Sequence, residues 1–286
     1  MDDITGDRKE AASWFRALRD RIVAAFEALE DGAGGDAPAG RFEVSPTTRA
    51  QGGGGIMSVL RDGRVFEKVG VNWSEVHGTL SPPAQRAMAA RGIPGIGEDP
   101  RFWASGISLV AHMQNPHAPA VHMNTRLFWT PSARWFGGGA DLNPCIEYAA
   151  DTAHFHAVLR AACDAHSPDY YPRFKAWADE YFFIPHRGRA RGVGGIFFDD
   201  LDTGDFTADL AFVRAVGEAF LPAFLPLAEQ RHALPWTAAD REVQLVHRGL
   251  YAEYNLLYDR GTRFGLESGH DPAAVLMSLP PLARWP

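Results

Sequence analysis

Three strand-like runs crowd the middle of the chain: "WASGISLVAHM" (103–113), "AVHMNTRLFW" (120–129) and "RWFGGGADLNP" (134–144). The first two are joined by only "QNPHAP", and the third looks like a strand broken by its glycines. "IMSVLRDGRVFEKVGV" reads as a hairpin turning at Asp62-Gly63, and "GGIFFDDL" as a buried strand. Helical spacing of Phe15, Leu18, Ile22, Phe26 and Leu29 predicts a helix over 8–30, with "DGAGGDAPAG" as a flexible connection to residue 40. "SPPAQRAMAARG" predicts a short helix, and further helices are expected over 148–165, 171–183, 208–230 and "PAAVLMSL". Pro222 and Pro226 are tolerated as kinks or breaks. "GLYAEYNLLYDRGTRFGLE" reads as another hairpin, turning at Asp259-Arg260-Gly261. Strands in groups, with helices between them and at the start, favour α+β with a large, mainly antiparallel sheet. No repeat divides the chain, so a single domain over 1–286 is expected.

Alternation along a strand puts His122, Asn124 and Arg126 on one face. Ser108 and His112 share a face of the preceding strand, so a hairpin would gather all five. A solvated sheet face is the plain alternative, although such faces usually carry Lys, Glu and Thr. Asp141 follows three glycines, which let a flat ligand or another backbone approach. It would accept a ligand N–H or act as a base, or else cap a turn in a Gly-rich bulge. "IPHRGRARGVGG" brings together His186, Arg187, Arg189 and Arg191, either as carboxylate forks or as a solvated loop. His154 and His156 point to nearly opposite sides of their helix. His112, His122, His156 and His186 could meet around a metal, but no short ligand motif is present.

Bulk properties exclude several classes. The formal charge is −7 and no Lys/Arg-rich run occurs, which argues against nucleic acid. No apolar run approaches the roughly 18 residues of a membrane span, and the acidic N-terminus lacks a signal-peptide core. A cytoplasmic enzyme or binding protein is expected. Two cysteines, Cys145 and Cys163, cannot hold an iron–sulfur cluster alone and read as reduced thiols. Neither Gly-x-Gly-x-x-Gly after a strand nor a Walker loop supports a nucleotide cofactor.

Taken together, these segments resemble the oxygen-dependent coproporphyrinogen III oxidases, with motifs in order over nearly everything after residue 49. The resemblance implies conversion of two propionates of coproporphyrinogen III to vinyl groups, giving protoporphyrinogen IX. Dioxygen would be the oxidant, and carbon dioxide and hydrogen peroxide would leave. It implies a flat antiparallel sheet with helices on both sides, a homodimer, and no organic cofactor. For the site it implies Asp141 accepting pyrrole N–H bonds, His122 as proton donor and Arg191 as a carboxylate anchor. Ser108, Asn124, Thr125, Arg126 and Gly269 would bind substrate. Some members are described with a divalent metal such as manganese, at positions matching His112, His122, His156 and His186; a metal-free mechanism fits the sequence equally. Two departures stand out. Ser268-Gly269-His270-Asp271 replaces an Arg-containing turn, leaving its role to another arginine such as Arg263. The chain ends at "RWP", where the family usually continues into a further helix. A tetrapyrrole carrier without turnover and a metal-dependent hydrolase are the competing classes.

Overall fold

The computed structural model describes residues 4–35, 37–267 and 270–285. Helix α1 (Ile4–Gly32) buries Phe15, Leu18, Ile22, Phe26 and Leu29, the stripe that helical spacing requires. Six consecutive strands follow: β1 (Glu43–Thr48), β2 (Gly53–Arg61), β3 (Phe66–Thr79), β4 (Arg101–Met113), β5 (Ala120–Thr130) and β6 (Ala133–Asn143). A small ribbon of β7 (Phe183–Ile184) and β8 (Arg189–Ala190) stands apart. Strand β9 (Gly194–Leu201) then completes a seven-stranded sheet in the order β1-β2-β3-β4-β5-β6-β9. Every neighbouring pair is antiparallel.

The two faces of the sheet differ. On one, Val69, Val71, Leu109, Ala111, Val121, Met123, Ala140 and Leu142 are buried in the main core. Helix α1 packs there with α3 (Ala149–Asp164), α4 (Tyr170–Tyr181) and α5 (Phe206–Arg231). By length and composition α5 would cross a bilayer, yet 56% of its apolar window is buried, as in a core helix. The other face is covered less completely: Phe197 of β9 is buried against Phe182, Ile184 and Tyr254, and Met277 packs on Gly70, while Ser108 stays exposed. Helix α2 (Pro82–Ala90) brings Met88 to a cluster with Phe102, Phe128 and Trp135. At the opposite end Gln244 and Arg248 of α6 (Ala238–Leu257) donate to the Met113 carbonyl. Helices α7 (Arg260–Glu267) and α8 (Pro272–Val275) follow, and a 3₁₀ turn over Leu276–Ser278 caps β3 and β4. Helices therefore flank both sides of the sheet.

Two expectations fail here. The stretch 249–267 is helical, not a hairpin. Its buried set Gln244, Arg248, Tyr251, Ala252 and Asn255 follows a period near 3.6, and Asp259 caps α7 by accepting from Thr262 N. Strand β6 is unbroken through its glycines; only its register with β9 shifts, between Phe136 and Gly138. Helix α5 continues through Pro222 and Pro226 without a break.

One carboxylate ties α1 to the sheet. Fully buried Glu30 accepts four backbone N–H groups, from Gly40, Arg64, Val65 and Phe66, at 2.6–2.9 Å. It thus holds both the connection after α1 and the turn before β3. Removing it strands several buried donors. We expect Glu30→Ala to destabilise the fold by about 3 kcal/mol, read as a lower urea midpoint with unchanged denaturant slope.

Candidate active site

The open strip of the second face carries the predicted polar row. In the ladder Ser108 stands opposite Asn124, His122 opposite Asp141, Asn124 opposite Gly139, and Arg126 opposite Gly137. Ser108 is exposed, while His122, Asn124 and Arg126 are half-buried. The glycines are needed for this geometry. A Cβ on Gly137 would lie 2.9 Å from the Arg126 guanidinium and from Asp199. Its absence lets Arg126 cross β6 and pair with Asp199 on β9. Gly139 has φ +151°, and a Cβ there would come 2.2 Å from the Ile196 carbonyl.

At the strip's inner end sits Asp141, with a side chain only 1% exposed. Its Oδ1 accepts from His122 Nδ1 at 2.8 Å and from Arg191 Nη2 at 2.7 Å. Its Oδ2 accepts from Arg191 Nε at 3.0 Å and from Asn143 Nδ2 at 2.7 Å. Arg191 is equally buried, boxed by the rings of Phe182, Tyr251 and Tyr254 at 4.3–4.7 Å, and donates to Asn255 Oδ1 at 3.0 Å. Burial alone would push the Asp141 carboxyl up. The Arg191 charge and the His122 bond outweigh it and hold the group well below the ordinary carboxylate range. Burial likewise works against the charge on Arg191, and Asp141 holds its pKa above the usual arginine value.

The bond directions are forced. Guanidinium groups only donate. Arg126 Nη1 therefore points at Asn124 Oδ1 (3.1 Å), so Asn124 turns its Nδ2–H toward His122 Nε2 (3.1 Å). His122 must accept at Nε2 and donate Nδ1–H to Asp141. One tautomer satisfies the row, and the single Nε2 lone pair of His122 is taken by the Asn124 amide. All four usual acceptor positions of Asp141 are taken, so as arranged it meets a pyrrole N–H only if one donor moves. The face therefore presents His122, with Asp141 behind it.

A second cationic cluster was not foreseen. Asp199, in the run read only as a buried strand, lies on the same face and draws in Arg126, Arg91 and Arg260. Three guanidinium groups around one carboxylate leave surplus positive charge for an acidic ligand. Strict alternation through "GGIFFDDL" carries the signal for Asp199, since Phe198 faces the core. Arg260 was hidden by the hairpin reading of its segment. It, and not Arg263, reaches the face; Arg263 donates to the Leu257 carbonyl, and Asp271 turns away to cap α8.

Other predicted positions lie elsewhere. Thr125 points into the helix-side core, fully buried, because its neighbours in the alternation face the strip. Gly269 lies outside the described residues. The four histidines of the metal set do not converge. His112 is bound to the Ser278 carbonyl at 2.9 Å, and burial pushes its pKa down to about 3. His156 bonds Tyr171 and the Val193 carbonyl. His186 bonds Tyr258 and Glu253 at the surface. Among the described residues no group of three or more His, Cys, Asp or Glu could hold a metal ion. This arrangement does not fit a metal held by that set, and no step is routed through one.

Arg191→Met is expected to destabilise the protein by about 3–5 kcal/mol at neutral pH, by leaving Asp141 buried and unpaired. The sign of the pH dependence follows from the depressed carboxyl. Its stabilisation is complete above the unfolded value of about 3.9 and is lost as pH falls toward the lower folded value. The gap between wild type and variant should be widest at neutral pH and narrow on acidification, because the unpaired carboxyl of the variant, raised by burial, takes up a proton before that of the wild type, as urea titrations at several pH values would measure.

Comparison with known proteins agrees over the whole chain. The family model described as coproporphyrinogen III oxidase matches residues 10–286. A Rickettsia bellii (strain RML369-C) protein named oxygen-dependent coproporphyrinogen-III oxidase is 48% identical over 282 residues, 98% of each chain. Proteins of the same name from Rickettsia conorii and Rickettsia rickettsii (strain Sheila Smith) are 47% and 46% identical over the same length.

Proposed function

The chain belongs to the coproporphyrinogen III oxidase family, and from that premise we propose that it oxidatively decarboxylates coproporphyrinogen III with dioxygen, giving protoporphyrinogen IX. Each of the two reacting propionates would become a vinyl group, with one carbon dioxide and one hydrogen peroxide released per dioxygen consumed. The bond to the carboxyl carbon breaks, a C–H hydrogen is lost, and two electrons pass to oxygen. The observation that carries the reading at this site is the hydrogen-bonded row Arg191–Asp141–His122–Asn124–Arg126–Asp199, which crosses one open sheet face.

A flexible, tetra-anionic macrocycle suits that face. Gly137 keeps β6 low enough for the Arg126–Asp199 pair to lie across it, so that the pair borders the strip on which a flat ring would rest. Arg126, Arg91 and Arg260 offer charge-assisted bonds to its carboxylates, and the Ser108 hydroxyl adds a donor from β4. His122 offers Nε2 to the reacting side chain once the Asn124 amide gives way to it, as a base when neutral and as a proton donor once it has taken a proton. Asp141 and Arg191 set its tautomer and orientation and balance its charge. Arg191 is too enclosed, at 2% exposure, to grip a substrate carboxylate without leaving Asp141. The electrons come from the substrate, so the chemistry asks for no nucleotide or flavin.

Two further parts of the reading concern the setting. Exposed Val243, Leu256, Leu257, Leu282 and Trp285, on α6 and the C-terminal segment, support work as a homodimer. Two unpaired cysteines support a reducing, cytoplasmic compartment.

The deciding experiment incubates purified protein with coproporphyrinogen III under air and under argon, with and without a chelator. Protoporphyrinogen formed only in air is expected; tight binding without turnover would mean a carrier, and activity under argon would contradict the oxidase. Asp141→Ala should lower turnover at least about 100-fold, and near-normal rates would remove Asp141 from the mechanism. Arg126→Ala should chiefly weaken substrate binding, by about 1.5–3 kcal/mol for a lost charged hydrogen bond, seen as a raised KM.

A further inference from the structure

Behind Asp141, between β6 and α6, lies a small cavity of about 20 Å³ whose wall includes Ala118, Asn143, Cys145, His247 and Arg248. Three buried polar atoms on that wall have no hydrogen-bond partner: Asn143 Oδ1, His247 Nε2 and Arg248 Nη1. Asn143 and Arg248 are 2% and 4% exposed, so bulk solvent does not satisfy them. A cavity needs roughly 10–15 Å³ and at least two polar partners to hold a water, and this one has both.

The chemistry of the wall selects the occupant. Arg248 only donates; its other nitrogen is already committed to Glu67 and the Met113 carbonyl. Asn143 cannot turn its amide round, because its Nδ2 donates to the Asp141 carboxylate at 2.7 Å. Its Oδ1 is therefore the atom left to accept a bond. An anion would meet that oxygen's lone pairs, and a cation would meet the guanidinium. A hydroxylic molecule accepts from one and donates to the other. His247, held neutral because burial pushes its pKa down to about 4, takes either role. The Cys145 thiol, pushed up to about 11 by burial, stays protonated and points at the Pro116 carbonyl.

We propose that this cavity is a buried-water site, in which one water joins Arg248 Nη1 and His247 Nε2 to Asn143 Oδ1 and thereby holds the Asn143 amide against Asp141. Asn143 is then a positioning residue. The water couples it to the Glu67–Arg241–Arg248 ion cluster, in which Arg241 and Arg248 each contact Glu67 at 2.7–2.8 Å. The catalytic consequence rests on the oxidase reading above; the water site does not.

Two measurements test it separately. An atomic-resolution crystal structure of the unmodified protein should show one ordered water within hydrogen-bond reach of Arg248 Nη1 and Asn143 Oδ1. A dry cavity, or a chloride there, overturns the proposal whatever the enzyme does. For the consequence, Ala118→Val and Ala118→Thr fill the cavity with side chains of the same shape. Only threonine brings a hydroxyl that replaces the water's bonds. Valine should lower kcat about tenfold, the equivalent of one hydrogen bond, with little change in KM, and threonine should restore most of it. Equal kcat in the two variants would reduce the cavity to packing. If neither variant folds, the water measurement alone decides. If the unmodified protein fails to turn over, the oxidase reading falls while the crystallographic result still stands.

Discussion

The buried, two-pronged pair between Arg191 and Asp141 is the constraint on which the site is built. Neither charge would be tolerable alone in so dry a place. Three aromatic rings enclose the guanidinium, and Asn143, His122 and Asn255 complete its shell and that of its partner. Because Arg191 keeps Asp141 ionised and a carboxylate can only accept, His122 donates from Nδ1. That choice propagates through Asn124 to Arg126 and on to Asp199. A local ion pair thus sets the polarity of a hydrogen-bond row that crosses three strands.

The sheet makes this possible by separating its duties. One face is apolar and closed by α1, α3, α4 and α5, which supplies most of the core. The other is only partly covered, and a strip around Ser108, Asn124 and Arg126 is left accessible. The protein carries a formal charge of −7, yet three of its arginines meet on the open strip around Asp199. Local positive charge within an acidic whole favours an acidic ligand at this face over nonspecific association elsewhere.

The part of this arrangement legible in the sequence is the part written in strand alternation. The residues 122, 124 and 126 had to share a face, and the short join from β4 brought Ser108 beside them. Asp141 after its glycines was visible for the same reason. The rest depends on tertiary contacts with no local signal. Arg191 is drawn into an aromatic box made largely by α6, a segment whose pattern was taken for strands because Tyr251 and its neighbours mimic a period of two. That one error also hid Arg260. Thr125 was placed at the site by resemblance, although alternation sends it to the core. Histidines spaced far apart in the chain gave no basis for judging whether they meet; here His112, His156 and His186 each have separate partners.

The central claim is that His122, oriented by Asp141, faces a reduced tetrapyrrole lying on the open strip. A crystal structure of the protein with coproporphyrinogen III introduced under argon tests it most directly. The expected result is a ring lying beside the Arg126–Asp199 pair, carboxylates held by Arg126 with Arg91 or Arg260, and His122 Nε2 in contact with one propionate side chain. A ring bound on another surface, or His122 turned away with no polar contact to it, would contradict the account.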